Sequence, residues 1–160
     1  MTTANESRTV VTTPSEVEIA ISREFDAPRE LVFDAFTRPE HVSRWLLGPD
    51  GWVMSVCEID LRVDGAWRWV WRRDSTGEEF GMSGVYREVT RPSRVVNTEV
   101  YEGNESVVTL ELTERDGRTT VVQTSRFASQ EVRDAVLATG MADGVDASFN
   151  RLAGMLPTLA

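Results

Sequence analysis

The chain has 160 residues, 41% apolar and 27% charged, a length and balance that fit one globular domain and exclude fibrous and low-complexity classes. Its 26 acidic residues outnumber 17 Lys and Arg, giving a net charge of -9 and a pI near 4.7; such a field repels phosphate backbones and anionic lipid, which excludes nucleic acid and membrane surfaces as expected partners. The single cysteine, Cys57, makes no internal disulfide, and without a signal-peptide core or an apolar run of about 18 residues the expected location is cytoplasmic.

Residues 1–16 are rich in Thr, Ser, Asn, Glu and Arg and offer only Val10 and Val11 for burial, so a mobile tail is expected there, followed by a single domain over 17–160. Val17 to Phe25 alternates apolar and polar residues with period two, which predicts a half-buried strand. After Asp26-Ala27-Pro28, the residues Leu31, Val32, Ala35 and Phe36 recur at helical spacing. A second short helix is predicted from Pro39 through His41 to Trp45 and Leu46, before Gly48-Pro49-Asp50-Gly51 breaks the chain.

Strand-like runs separated by turn residues then predict a meander: Trp52 to Leu61, Ala66 to Arg73, Glu79 to Val89, Val95 to Tyr101, Val107 to Glu114 and Thr119 to Phe127. With the first strand these make seven. Ser129-Gln130-Glu131 opens a helical tail in which Val132, Val136, Met141, Val145, Phe149, Leu152 and Leu156 fall along one stripe, with a break expected near Gly140. The predicted class is α+β, an antiparallel sheet with one face covered by the last helix. A curved sheet around one helix leaves space beneath the short helices, and such gaps are natural apolar pockets.

Within the third predicted strand, Trp67, Trp69 and Trp71 stand at every second position, which turns three indoles to one face. That row either packs the long helix as core or, with Trp45, Trp52, Phe80, Met82 and Met141, walls a cavity for a flat or elongated apolar ligand. The supply of catalytic parts is thin. His41 is the only histidine, so no metal cluster can be assembled from familiar spacings, and a solvent-facing or capping role suits it best. Cys57 has no positive neighbour in sequence to lower its pKa and reads as a small buried hydrophobe. Glu58 and Asp60 share a strand face and could divide acid and base roles, but a solvated face paired with Arg62, Arg68 or Arg72 is the plainer account. Gly81-Met82-Ser83-Gly84 lacks the strand-to-helix setting of a phosphate loop. No catalytic residue, metal or cofactor is therefore assigned.

Several stretches in order carry a resemblance. Arg23-Glu24-Phe25-Asp26-Ala27-Pro28 with Leu31 to Phe36, Pro39-Glu40-His41 running to Trp45, Cys57 to Arg62 followed by Gly65-Ala66-Trp67-Arg68, Gly84 to Val89, and Gly140 to Gly144 with Arg151-Leu152 resemble the START-like helix-grip (SRPBCC) superfamily, within it the heat-shock-protein ATPase activator-like domains. The resemblance spans about Val17 to Leu156 and implies a helix-grip, Bet v 1-like fold, with a sheet of about seven strands wrapped around a long C-terminal helix. It implies a hydrophobic cavity but no single function, since the superfamily includes binders of lipids and other apolar molecules, polyketide cyclases and co-chaperone domains. The expectation is a noncatalytic binder of a small apolar, aromatic or lipid-like molecule, monomeric or homodimeric. A cyclase- or hydrolase-like enzyme using Glu58, Asp60 or His41 is one alternative, and a chaperone-associated module of the stress response is another.

Overall fold

In a computed structural model, which describes residues 8–159, the chain builds one sheet and four helices. The elements are β1 (Val10–Thr12), β2 (Glu18–Phe25), α1 (Arg29–Thr37), α2 (Pro39–Trp45), β3 (Trp52–Ile59), β4 (Ala66–Arg73), β5 (Glu79–Thr90), β6 (Arg94–Tyr101), β7 (Asn104–Arg115), β8 (Arg118–Arg126), α3 (Gln130–Ala138) and α4 (Met141–Leu159). All neighbouring strands are antiparallel, in the order β1-β2-β8-β7-β6-β5-β4-β3. From β3 to β8 the order is a meander, and α1 with α2 carries the chain from β2 to the far edge at β3.

Local chemistry accounts for these elements. The tight turns of the meander are chosen by residues that tolerate positive φ: Glu102 and Gly103 have φ of 51° and 79°, and Asp116 and Gly117 have 54° and 77°. Two consecutive residues of this kind match the twist of a hairpin. The strand after the first turn consequently begins at Asn104, three residues earlier than alternation predicts. Ser129 caps α3, its hydroxyl accepting from the Val132 N–H at 3.2 Å. The expected break falls at Gly140, whose φ of 78° ends α3 and lets α4 start afresh at Met141.

The strand alternation of β2 buries Ile19, Ile21, Arg23 and Phe25, and β7 does the same with Ser106, Val108, Leu110 and Leu112. That is the concave face. Helix α4 lays Phe149, Leu152, Met155 and Leu156 against it. The Phe149 ring sits 5.6 Å from Phe25 of β2 and 6.0 Å from both Phe36 of α1 and Trp45 of α2, so one ring joins the sheet to three helices. The Ser148 hydroxyl accepts from the Gly48 N–H at 2.9 Å and fixes the loop between α2 and β3 to the same helix.

The sheet has eight strands rather than about seven. The additional one is Val10–Thr12, inside the stretch whose composition suggests a tail, and it pairs with β2 through Val11 opposite Ile21. An edge strand needs only backbone groups to pair with, so its side chains can stay outside, and Val10 is 49% exposed. Residues 1–7 of the expected tail lie outside the described residues.

Candidate functional site

Strand register determines what surrounds the tryptophan row. On β4, Trp67 lies between Ile59 and Gly84, Trp69 between Cys57 and Met82, and Trp71 between Met54 and Phe80. Ring centroids are 4.3 Å apart for Trp67 and Trp69, 6.0 Å for Trp69 and Trp71, and 5.0 Å for Trp71 and Phe80, the last pair stacked at 19°. Trp52 of β3 meets Phe80 edge-on at 5.2 Å, and Tyr101 of β6 does so at 6.2 Å. Half of the concave face is thus an aromatic wall, and such offset and edge-on pairs add about 1 kcal/mol each beyond area burial.

The indoles have different fates. Trp45 and Trp67 are each 2% exposed and belong to the closed core; Trp45 Nε1 donates to the Ala35 carbonyl at 2.9 Å and Trp67 Nε1 to that of Thr98 at 3.1 Å. Trp71, 6% exposed, donates to the Leu46 carbonyl at 2.7 Å. Trp69 is only half-buried, yet its Nε1 is shielded and has no hydrogen-bond partner among the described residues. An unmade hydrogen bond of this kind costs about 1 to 3 kcal/mol. Trp52, Phe80, Met82 and Met141 are half-buried as well. Trp69, Met82 and Met141 fringe the closed core together with Val136, Leu137 and Val145 of the last two helices.

Sequence reasoning missed Glu99. It lies on β6 opposite Ser106, on the face that Ser106 shares with Val108 and Leu110, and its own inward neighbours along β6 are Asn97 and Tyr101. Burial pushes its carboxyl up to about 7 from the usual 4.5. No hydrogen bond or ion pair reaches it among the described residues. The residue as a whole nevertheless keeps some accessible surface. The signal was present in the sequence: counting in twos from the apolar Val95 puts Asn97 and Glu99 on its face.

Arg23, Cys57 and two tyrosines are other titratable groups of this face. Buried Arg23 donates to Asn150 Oδ1 of α4 at 2.7 Å and lies 4.0 Å from the Asp146 carboxylate; burial lowers its pKa and Asp146 opposes the shift. The Cys57 thiol is pushed up to about 11 by burial and then by Glu40. Tyr86 is raised by burial, then by Cys57 and Asp60, and Tyr101 by burial, then by Glu102. His41 is half-buried, and its shielded Nδ1 has no hydrogen-bond partner among the described residues.

The paired acids do not converge on this face. Glu58 and Asp60 are exposed, 3.6 Å from Arg68 and 2.9 Å from Arg62 respectively. No cluster of metal-ligating side chains occurs among the described residues. An open groove of about 340 Å³ runs along β4 and β5, lined by Arg68, Val70, Glu79, Gly81 and Ser83 and also by Trp69, Phe80 and Met82. It is too polar and open to enclose an apolar molecule. No helix among the described residues is long and apolar enough to cross a membrane.

Comparison with known proteins adds a family to this geometry. No curated protein matches the sequence. A solved structure from Rhodobacter sphaeroides superposes with a TM-score of 0.89 at 29% identity, over 96% of this chain and 100% of that one. A Mycobacterium smegmatis protein gives 0.81 at 22% identity, over 96% of this chain and 100% of the other. The solution structure of an AHSA1-like protein from Aeromonas hydrophila gives 0.67 at 21%, over 86% and 94%. The family model described as Activator of Hsp90 ATPase homolog 1-like protein matches residues 26–157, from the end of β2 to the last turns of α4. With that much of the sequence matched, the α+β helix-grip fold has its family, and the chain belongs to the Activator of Hsp90 ATPase homolog 1-like proteins.

Proposed function

We propose that this domain binds a small apolar, aromatic or lipid-like molecule against the β3 to β6 half of the concave face. Trp69 carries the reading: its shielded indole N–H lacks an acceptor, while the N–H groups of Trp45, Trp67 and Trp71 are all satisfied. A ligand oxygen would supply the missing acceptor, and half-buried Phe80, Met82, Trp52 and Met141 would supply apolar contact. Affinity would come from apolar burial and orientation from the one N–H. A chaperone-associated role is the second reading, and the family's name is its support.

The test is a titration with a panel of lipids, flavonoids and polyketide-like aromatics followed by tryptophan emission. At least one class should shift or quench it, and Trp69→Phe, which keeps an aromatic six-membered ring but removes the N–H with its five-membered ring, should weaken that ligand at least about tenfold, the worth of one hydrogen bond. A silent panel would sink the proposal, as would a Trp69→Phe protein that binds as tightly as the parent.

A further inference from the structure

We infer that the ligand of this face carries a basic nitrogen, and that Glu99, among the aromatic side chains of β4 to β6, is the seat for its ammonium group. The inference rests on the proposed ligand site and adds the chemical class of the occupant.

Position comes first. Gly84 of β5 lies between β4 and β6, and because it has no side chain the Trp67 indole crosses it to reach the Thr98 carbonyl, next to Glu99. Tyr101 follows Glu99 on the same face and contacts Phe80 at 6.2 Å. A carboxylate beside aromatic rings is the arrangement that holds an organic ammonium ion, since the rings attract the cation and the carboxylate pairs with it.

Protein cations do not fill this seat. The buried arginine on this face, Arg23, is held by Asn150 and Asp146. On the helices, Arg133 and Arg151 pair with Asp134 and Asp50, while one guanidinium nitrogen each of Arg23 and Arg151 is shielded without a partner among the described residues. Arg73, on the tryptophan face of β4, lies over the Trp52 ring at 5.8 Å, at the far end of the strand from Trp67; Cys57, Tyr86 and Tyr101 are all shifted upward and stay neutral near pH 8, which leaves Glu99 as the anion there. A carboxylate withdrawn from water without a partner is costly, and a bound ammonium would remove that cost. The net charge of -9 also draws cations toward the molecule and repels fatty-acid carboxylates.

Three probes of one shape test this by calorimetry at pH 8: 2-naphthylmethylamine, 2-naphthylmethanol and 2-naphthoic acid. The amine should bind at least tenfold tighter than the alcohol, with the acid weakest. Glu99→Gln should reduce the amine to the affinity of the alcohol and leave the alcohol unchanged. Equal or tighter binding of the alcohol or acid by the parent protein would overturn the inference while leaving an apolar site standing, and so would an amine preference that survives in Glu99→Gln. Should none of the three bind, this inference falls, and the panel titration decides separately whether an apolar site stands. The comparison of probes on the parent protein needs no variant to fold.

Discussion

Gly84 shows how one missing side chain organises the aromatic half of the sheet. A Cβ there would run into the Thr98 carbonyl and lie 2.8 Å from Trp67 Nε1, the two ends of the hydrogen bond that closes the core at this point. Gly84→Ala should therefore destabilise the protein by about 3 kcal/mol, the upper range for forcing one methyl group into a packed site. Gly154 of α4 is the control: nothing lies within 4 Å of its Cβ position, so Gly154→Ala should stabilise by up to about 1 kcal/mol through helix propensity. Urea unfolding of both variants checks the pair, and equal effects would refute the steric account. The tryptophan row itself was legible in the sequence, because alternation in a strand is a local property. Which indole closes the core was not, because the acceptors come from Thr98 and Leu46, 31 and 25 residues away.

Among the elements, short helices, hairpins and the break at Gly140 follow from chemistry within a few residues, and the sequence reads them well. The edge strand β1 escapes because its pairing uses backbone groups that every residue carries. The join between β2 and α4 was equally hidden. Arg23 reads as a polar position in an alternating strand, yet it is buried and held by Asn150, 127 residues further on. Asn150→Ala should cost about 2 kcal/mol, the usual loss for a hydrogen bond to a charged group. Asp146→Ala should cost less, since that carboxylate is half exposed and 4.0 Å away. Chemical denaturation gives both values, and a larger loss for Asp146→Ala would reverse the assignment of Arg23's main partner.

For the molecule as a whole, Glu99 ties stability to pH. Its carboxyl sits at about 7 in the folded state against an ordinary 4.5, so between those values the native state holds the proton that the unfolded chain has released. This contribution is fully present below about pH 4.5 and fades as pH rises to 7, a loss on the order of 2 to 3 kcal/mol. The informative quantity is the difference between the parent and Glu99→Gln. That difference should change between pH 5 and pH 7.5, with the variant gaining on the parent at the higher pH. Parallel stability curves would show that Glu99 titrates as an ordinary surface acid.

By itself the sequence determined the class of fold, the acidic field and the aromatic face, because composition, strand alternation and helical periodicity depend on near neighbours and each must hide its apolar side. Tertiary structure alone decided that Trp67 and Trp71 are satisfied while Trp69 is not, that Arg23 is held by Asn150, and that the inward-facing Glu99 has no partner among the described residues. Whether a polar group is paired depends on what distant segments bring to it. Register and helix docking set that, and no local pattern records them.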